Sequence, residues 1–338
     1  MSLRFTHETL PQRVVFGPAA EHLAAEVARL GERPLVIGRA AADLLPGVPR
    51  HREVVMHVPV AVAERARAVT ADTGADVLVS IGGGSATGLA KAVALTTGLP
   101  VVAVPTTYAG SEATDVWGLT DDGRKTTGAD RRVLPRTVVY DASLTLSLPA
   151  GLSVASGLNA VAHCVDSLWA PRADPINQAL ALAGIRALTA GLTRIAARSD
   201  DLPGREQTLY GAHLAAVAFA SAGSGLHHKI CHVLGGMFDL PHAQTHAVVL
   251  PYVMALNARA VRPLLADAFG PDGLQGLRER VGAPRALRDY GFRDSDIPAA
   301  VAAILPIVPS GNPVAVTGGD LTDLLRRAWA GDPPGEQR

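Results

Sequence analysis

Asn159 and His163 stand four residues apart in SGLNAVAHCVDS, and His227, His228, His232, His242 and His246 follow in LHHKICHVLGGMFDLPHAQTH. A helix places positions i and i+4 on one face, so Asn159/His163, His228/His232 and His242/His246 can each aim two polar groups at one point. Imidazoles grouped in this way hold a metal, move protons or bind an anionic substrate. A single histidine on an apolar helix is more often a hydrogen-bonded core residue, but six of the eleven histidines fall in these two windows, and that clustering points to a site. His227 is set outside it, because its side chain points about 100° away from that of His228 on a helix. Two groups on one helix, with His228 and His242 fourteen residues apart, would close a four-ligand site, except that one corner is an amide.

The elements that must position these groups divide the chain in two. VVFG (14–17), PLVIG (34–38), VVMHVPV (54–60), DVLVSIGGG (76–84), PVVAVPTT (100–107) and TVVYD (137–141) are short β-branched runs, several of them separated by helical stretches rich in Ala, Glu and Arg. Strands alternating with helices predict a largely parallel sheet covered on both faces. From about Leu152 the β-runs vanish, and 177–197, 207–223 and 247–261 read as long apolar helices. The reading is therefore an α/β dinucleotide-binding domain over 1–150 and an all-helical domain over 151–338, joined near Leu148-Pro149-Ala150-Gly151.

Ile81-Gly82-Gly83-Gly84-Ser85 ends one of these strands and opens the helix TGLAKAVALTTG. Glycines there let the backbone approach a phosphate, and the free N–H groups and dipole at the helix start favour its charge. A glycine-rich turn is also common punctuation after a strand. Thr106-Thr107-Tyr108-Ala109-Gly110-Ser111-Glu112 follows the next strand at the same sheet edge, where open α/β sheets bind ligands. Its hydroxyls would also cap a following helix; the two roles are compatible.

Composition narrows the class. The 338 residues carry 31 basic and 31 acidic side chains, so the chain lacks the electrostatic footprint of a nucleic-acid or anionic-membrane binder. No uninterrupted apolar run approaches the ~20 residues of a membrane span, and the N-terminus lacks the pattern of a secretion signal. Cys164 and Cys231, the only cysteines, sit beside histidines in apolar helical sequence and read as reduced and packed, which suits a cytoplasmic enzyme acting on a small molecule.

The GGGS turn, the TTYAGSE loop, GRKTT (123–127), LPRTVVYDASLTLSLP (134–149), SGLNAVAHCVDS (156–167) and GLHHKICHVLGGMFDLPHAQTHAVVLP (225–251) closely resemble the maleylacetate reductases of the iron-containing (group III) alcohol dehydrogenase superfamily. The resemblance runs from about Val14 to Asn257. It implies a Rossmann-like domain followed by a helical domain in the dehydroquinate synthase-like fold, with the active site in the cleft between them, NADH or NADPH as hydride donor, and a homodimer. By position, Gly82, Gly83, Gly84 and Ser85 would meet the pyrophosphate, with Thr106, Thr107, Ser111 and Lys125 along the cofactor. Arg39 stands where NAD-specific relatives look to carry an acid for the adenosine ribose, so a 2′-phosphate, and hence NADPH, is expected to be accepted.

In metal-dependent members of the superfamily the matching constellation is one Asp and three His; here it is Asn159, His163, His228 and His242. An amide offers a divalent ion only a neutral oxygen. The expectation is chemistry without a required metal, with adventitious zinc or nickel possible at His163, His228 and His242. Three imidazoles, any of them protonated, would then stabilise charge on a carboxylate or enolate, with His232 or His242 returning the proton.

Two departures bear on the substrate. Tyr252 replaces a histidine usual in the family, and Val314 in IVPSGNPV takes the position of the arginine in a motif resembling NPYxNPRP, a natural carboxylate clamp. Either Arg124 or another basic group takes over that role, or the substrate is a different carbonyl or alcohol, perhaps from a biosynthetic pathway.

Overall fold

A computed structural model of the protein describes residues 4–121 and 124–334, except for the side chains of Arg124 and Lys125. The chain divides into two compact units, Thr9–Leu148 and a second that takes Pro149 onward together with the N-terminal residues up to Glu8. His7 ties that N-terminal segment to its unit through a 2.8 Å contact with Asp174.

The α/β unit contains β1 (Arg13–Phe16), α1 (Ala19–Ala28), β2 (Pro34–Ile37), β3 (Arg50–His51), α2 (Val60–Asp72), β4 (Val77–Gly82), α3 (Gly84–Thr97), β5 (Val101–Pro105), β6 (Val116–Asp121), β7 (Arg124–Ala129) and β8 (Thr137–Tyr140). Six strands form one sheet in the order β1-β8-β5-β4-β2-β3, and every pair in it is parallel. Side chains alternate across the sheet, so Leu35, Ile37 and Leu78 join a core with α2 and α3 on one face. Val36, Val77, Val79 and Ile81 join α1 on the other. This double burial is why the strands read as uninterrupted apolar runs.

One expected strand is absent. Residues 54–59 form a loop in which His57 and Val58 take left-handed φ of 63° and 48°, α2 starts at Val60, and the strand lies earlier, at Arg50–His51. Thr120 holds the loop by donating its hydroxyl to the His57 carbonyl and its N–H to that of Val58, so long-range bonds override β propensity there. The antiparallel β6–β7 hairpin was not foreseen from the sequence.

The second unit comprises α4 (Ala150–Ser167), α5 (Pro175–Ala197), α6 (Leu202–Ala222), α7 (Leu226–Phe238), α8 (His242–Phe269), α9 (Gly273–Arg280), α10 (Ile297–Ile304) and α11 (Gly318–Ala330). Several of these helices start on side-chain caps: Asp174 with Pro175 for α5, Asp201 for α6, and a reciprocal Thr317–Asp320 box for α11. The helical dihedrals of α8 break at Val261, two residues before Pro263. Contrary to the expectation from apolar runs, α5 and α8 are long and apolar enough by length and composition to cross a membrane. Both pack against neighbouring helices within this unit. Helix α4 is its centre, with every residue from Ser153 to Ser167 buried.

Candidate active site

Asn159, His163 and Asp166 lie on α4 at spacings of four and three, and all are buried. Helix α7 begins at Gly225 without a side-chain cap of its own. Asp166 supplies one from α4: its Oδ2 accepts the backbone N–H of Gly225 at 3.1 Å and of His228 at 3.2 Å. The same oxygen meets Nδ1 of His228 at 2.6 Å. A Cβ at position 225 would sit 2.5 Å from Asp166 Oδ1, so only glycine lets the carboxylate in.

This carboxylate fixes the chemistry of His228. Burial pushes Asp166 up to about 7 while the backbone N–H donors of α7 pull it back. Burial, then the neighbouring imidazoles, push His228 well below its ordinary value. With two N–H groups already donating to Oδ2, the ionised form is the one the site binds, so the His228 proton sits on Nδ1. The lone pair is left on Nε2, which is buried without a hydrogen-bond partner.

From His228 the cluster spreads ring by ring. His163 stacks on it with centroids 4.8 Å apart and planes at 13°, and Phe219 of α6 packs against both rings. His246 lies 4.7 Å from His228 and 4.3 Å from His242. His232 stands 6.1 Å from His228 and 6.5 Å from His242. His232 and His242 are exposed, whereas His163, His228 and His246 are buried. Burial first, and His232 second, lower His163 to about 4. Burial thus favours the neutral ring at His163 and His228, which corrects the expectation of charge for two of the three imidazoles. Asn159, one turn before His163, has a buried Oδ1 with no partner.

His227 is a second correction. It points away from His228 as the helix requires, yet it is fully buried and its Nε2 lies 2.9 Å from Nδ1 of His246. Among the described residues, the three imidazoles that can each bring one nitrogen within 4.8 Å of the others' are His227, His228 and His246. The set expected to collect an adventitious ion shares only His228 with this group. Asp166, Phe219 and His227 were not assigned to the site from sequence, and His246, paired with His242 at helical spacing, was given no role in it; an acid within an apolar helix three residues after His163 was the available signal.

In the α/β unit, Gly82 ends β4, Gly83 precedes α3, and Gly84 and Ser85 form its first turn. A Cβ on Gly83 would lie 2.9 Å from the Thr107 methyl, so the glycine turn and the Thr106–Ser111 loop meet closely. The N–H of Thr106 donates to the Gly82 carbonyl at 3.0 Å. Ser111 Oγ is buried without a partner. The bare helix start, the hydroxyls and this orphaned Oγ fit a dinucleotide phosphate. Arg39 is exposed beyond β2 and donates Nε to the Arg52 carbonyl. Lys125 pairs with Thr120 in the hairpin through its backbone; its side chain, like that of Arg124, lies outside the described residues.

The two departures sit in packing positions. Tyr252 is buried, ten residues and about 15 Å along α8 from His242, and donates its hydroxyl to the Asp332 carbonyl. Val314 is half-buried against the core of α7, α8, α10 and α11. Its loop is pinned by Asn312, whose amide donates to the Val314 carbonyl and to Asn257 of α8.

Sequence comparison agrees with both halves of this architecture. Residues 11–142 match the iron-containing alcohol dehydrogenase family, and residues 153–329 match the C-terminal part of the Fe-containing alcohol dehydrogenase family. A maleylacetate reductase from Sphingobium indicum is 44% identical over 98% of this chain and 99% of its own length. The crystal structure of a maleylacetate reductase from a Rhizobium species is 40% identical, with a TM-score of 0.91 over 98% of this chain and 99% of that one. An iron-containing alcohol dehydrogenase from Corynebacterium glutamicum is 55% identical, with a TM-score of 0.95 over 99% of each chain. With a glycine turn on a parallel sheet, a histidine-bearing helical unit and near-full-length relatives in agreement, the chain belongs to the iron-containing alcohol dehydrogenase family, alongside its maleylacetate reductases.

Proposed function

We propose that the protein is an NAD(P)H-dependent reductase of maleylacetate, forming 3-oxoadipate, or of a closely related unsaturated or oxo acid. The observation that carries this reading is that α4 bears an amide, Asn159, with a buried unpartnered Oδ1 one turn before His163, while the carboxylate beside the imidazoles, Asp166, is engaged by His228 and the start of α7. Asn159, His163, His228 and His242 offer a divalent ion no negative charge, and Asp166 is directed at Nδ1, not at the cluster interior. The donor set therefore favours chemistry without a resident metal.

A bound nicotinamide would supply hydride to the conjugated double bond. The chain's own residues do the rest. The α3 start and Ser111 hold the phosphates. The buried neutral rings of His163 and His228, the latter oriented by Asp166, shape the pocket for the developing enolate. His232 and His242, the exposed imidazoles, return the proton in this reading. Balanced charge and two buried free thiols support a cytoplasmic enzyme with a small carboxylate or carbonyl substrate and no nucleic-acid or membrane partner; a homodimer follows from the family resemblance.

Val314 favours a second reading. Its aliphatic side chain packs against the core where an arginine clamp is expected, which suits a less charged carbonyl or alcohol. One experiment separates the two: steady-state consumption of NADPH or NADH with maleylacetate and with simple ketones, before and after chelation. Chelator-insensitive turnover of maleylacetate supports the proposal. Activity confined to ketones supports the second reading, and metal-stimulated activity overturns the reading of Asn159.

A further inference from the structure

Lys91 lies two turns into α3, and its side chain is almost wholly buried. Its ammonium donates to four oxygens: the Ser111 carbonyl, the Thr114 carbonyl and hydroxyl at 2.8 and 3.1 Å, and the Val116 carbonyl at 2.9 Å. All four belong to the end of the nucleotide loop and the segment that follows it. No carboxylate lies within ion-pair distance of it among the described residues. Burying an ammonium on neutral oxygens alone is costly, and a methionine of similar length would fill the space, so packing does not account for the charge.

Two further observations show what the cage positions. The carbonyl of Ser111 is drawn to Lys91 while its hydroxyl is left buried and unpartnered. That hydroxyl lies 3.9 Å from where a Cβ on Gly84 would stand, beside the half-buried start of α3. The helix whose first turn faces the phosphate thus reaches back, through its own lysine, to set the second loop against that turn. Burial lowers Lys91 to about 7, with Glu112 and Asp115 opposing; carbonyl oxygens only accept, so the caged form is the ammonium.

Building on the nucleotide-binding reading, we propose that Lys91 is a positioning residue for the dinucleotide: it clamps Ser111–Val116 so that the Ser111 hydroxyl is presented to a phosphate at the start of α3. The test is equilibrium binding of NADPH and NADH, read by nicotinamide fluorescence, in wild type, Lys91→Met, Thr114→Val, Ser111→Ala and the double variants with Ser111→Ala. Lys91→Met should weaken binding about tenfold or more, as loss of a charge-assisted anchor implies, and Thr114→Val by a smaller factor. Adding Ser111→Ala to either should cost less than it does in wild type, since the hydroxyl is then already misplaced. A merely structural lysine would lower Tm and leave this coupling at zero. Unchanged binding in folded Lys91→Met, or losses that simply multiply with Ser111→Ala, overturns the proposal; if Lys91→Met is insoluble, the Thr114→Val cycle decides by the same criterion. Wild type that binds neither nucleotide refutes the functional reading itself, whereas wild type that binds NADPH but ignores maleylacetate leaves Lys91 to be judged on binding.

Discussion

Replacing Asp166 by Ala would remove the acceptor of three hydrogen bonds at once, from the Gly225 and His228 N–H groups and from Nδ1 of His228. Both partners of the side-chain pair are buried, with 2% and 0% of their side chains exposed, so water cannot replace the lost oxygen. An orphaned buried donor costs about 1–3 kcal/mol, and here three donors lose their acceptor together. The start of α7 can relax a little, so the expected loss for Asp166→Ala is about 3–5 kcal/mol. Asp166→Asn keeps the shape and one acceptor oxygen and should lose about 1–3 kcal/mol. At roughly 2–4 °C per kcal/mol for a domain of this size, Asp166→Ala should lower Tm by about 6–20 °C, followed by circular dichroism at neutral pH. Turnover should fall about 10- to 100-fold in folded Asp166→Asn, because a ring freed from its orienting partner presents Nε2 less often. An Asp166→Ala protein within about 1 kcal/mol of wild type, or undiminished turnover in Asp166→Asn, would refute the reasoning.

Three further outcomes are expected. Burial lowers His163 to about 4 and His227 to about 3, and moves His228 and His246 the same way. The unfolded chain therefore binds protons that the folded one refuses, so stability is whole above about pH 6.5 and falls as the pH drops toward 4. Asp166, raised to about 7 by burial, and Glu112, raised the same way, oppose this, but they are two groups against these four imidazoles and His213, which burial lowers to about 4, and a Tm that stays flat from pH 7 to pH 4.5 would contradict the sign. Arg39→Ala should raise KM for NADPH about tenfold while changing KM for NADH less than about twofold, as loss of a guanidinium–phosphate pair implies; an unchanged ratio sinks the 2′-phosphate assignment. Tyr252→Phe removes one hydrogen bond, to the Asp332 carbonyl, and should cost about 1 kcal/mol with kcat unaltered, so a kcat reduced tenfold would place Tyr252 in the chemistry.

Local signals were legible along the chain. The β-branched runs at 34–38, 76–84 and 100–107 contain β2, β4 and β5, and the glycine turn opens α3 as its composition required. The i, i+4 pairs all fall on helices, since α-helical spacing is a property of the sequence. Residues 54–60 defeated the same reasoning because Thr120, far along the chain, holds them out of the sheet.

What the sequence by itself determined was which side chains share a helix face and which turn could face a phosphate. Only the tertiary structure decided that Asp166 on α4 caps α7 and fixes His228, that His227 joins the cluster through His246, that the Lys91 ammonium is spent on one loop, and which imidazoles are buried. The physical reason is the range of the forces. Helical periodicity and glycine's freedom act within a few residues, whereas desolvation and the pairing of buried polar groups depend on which helices the packed core sets side by side.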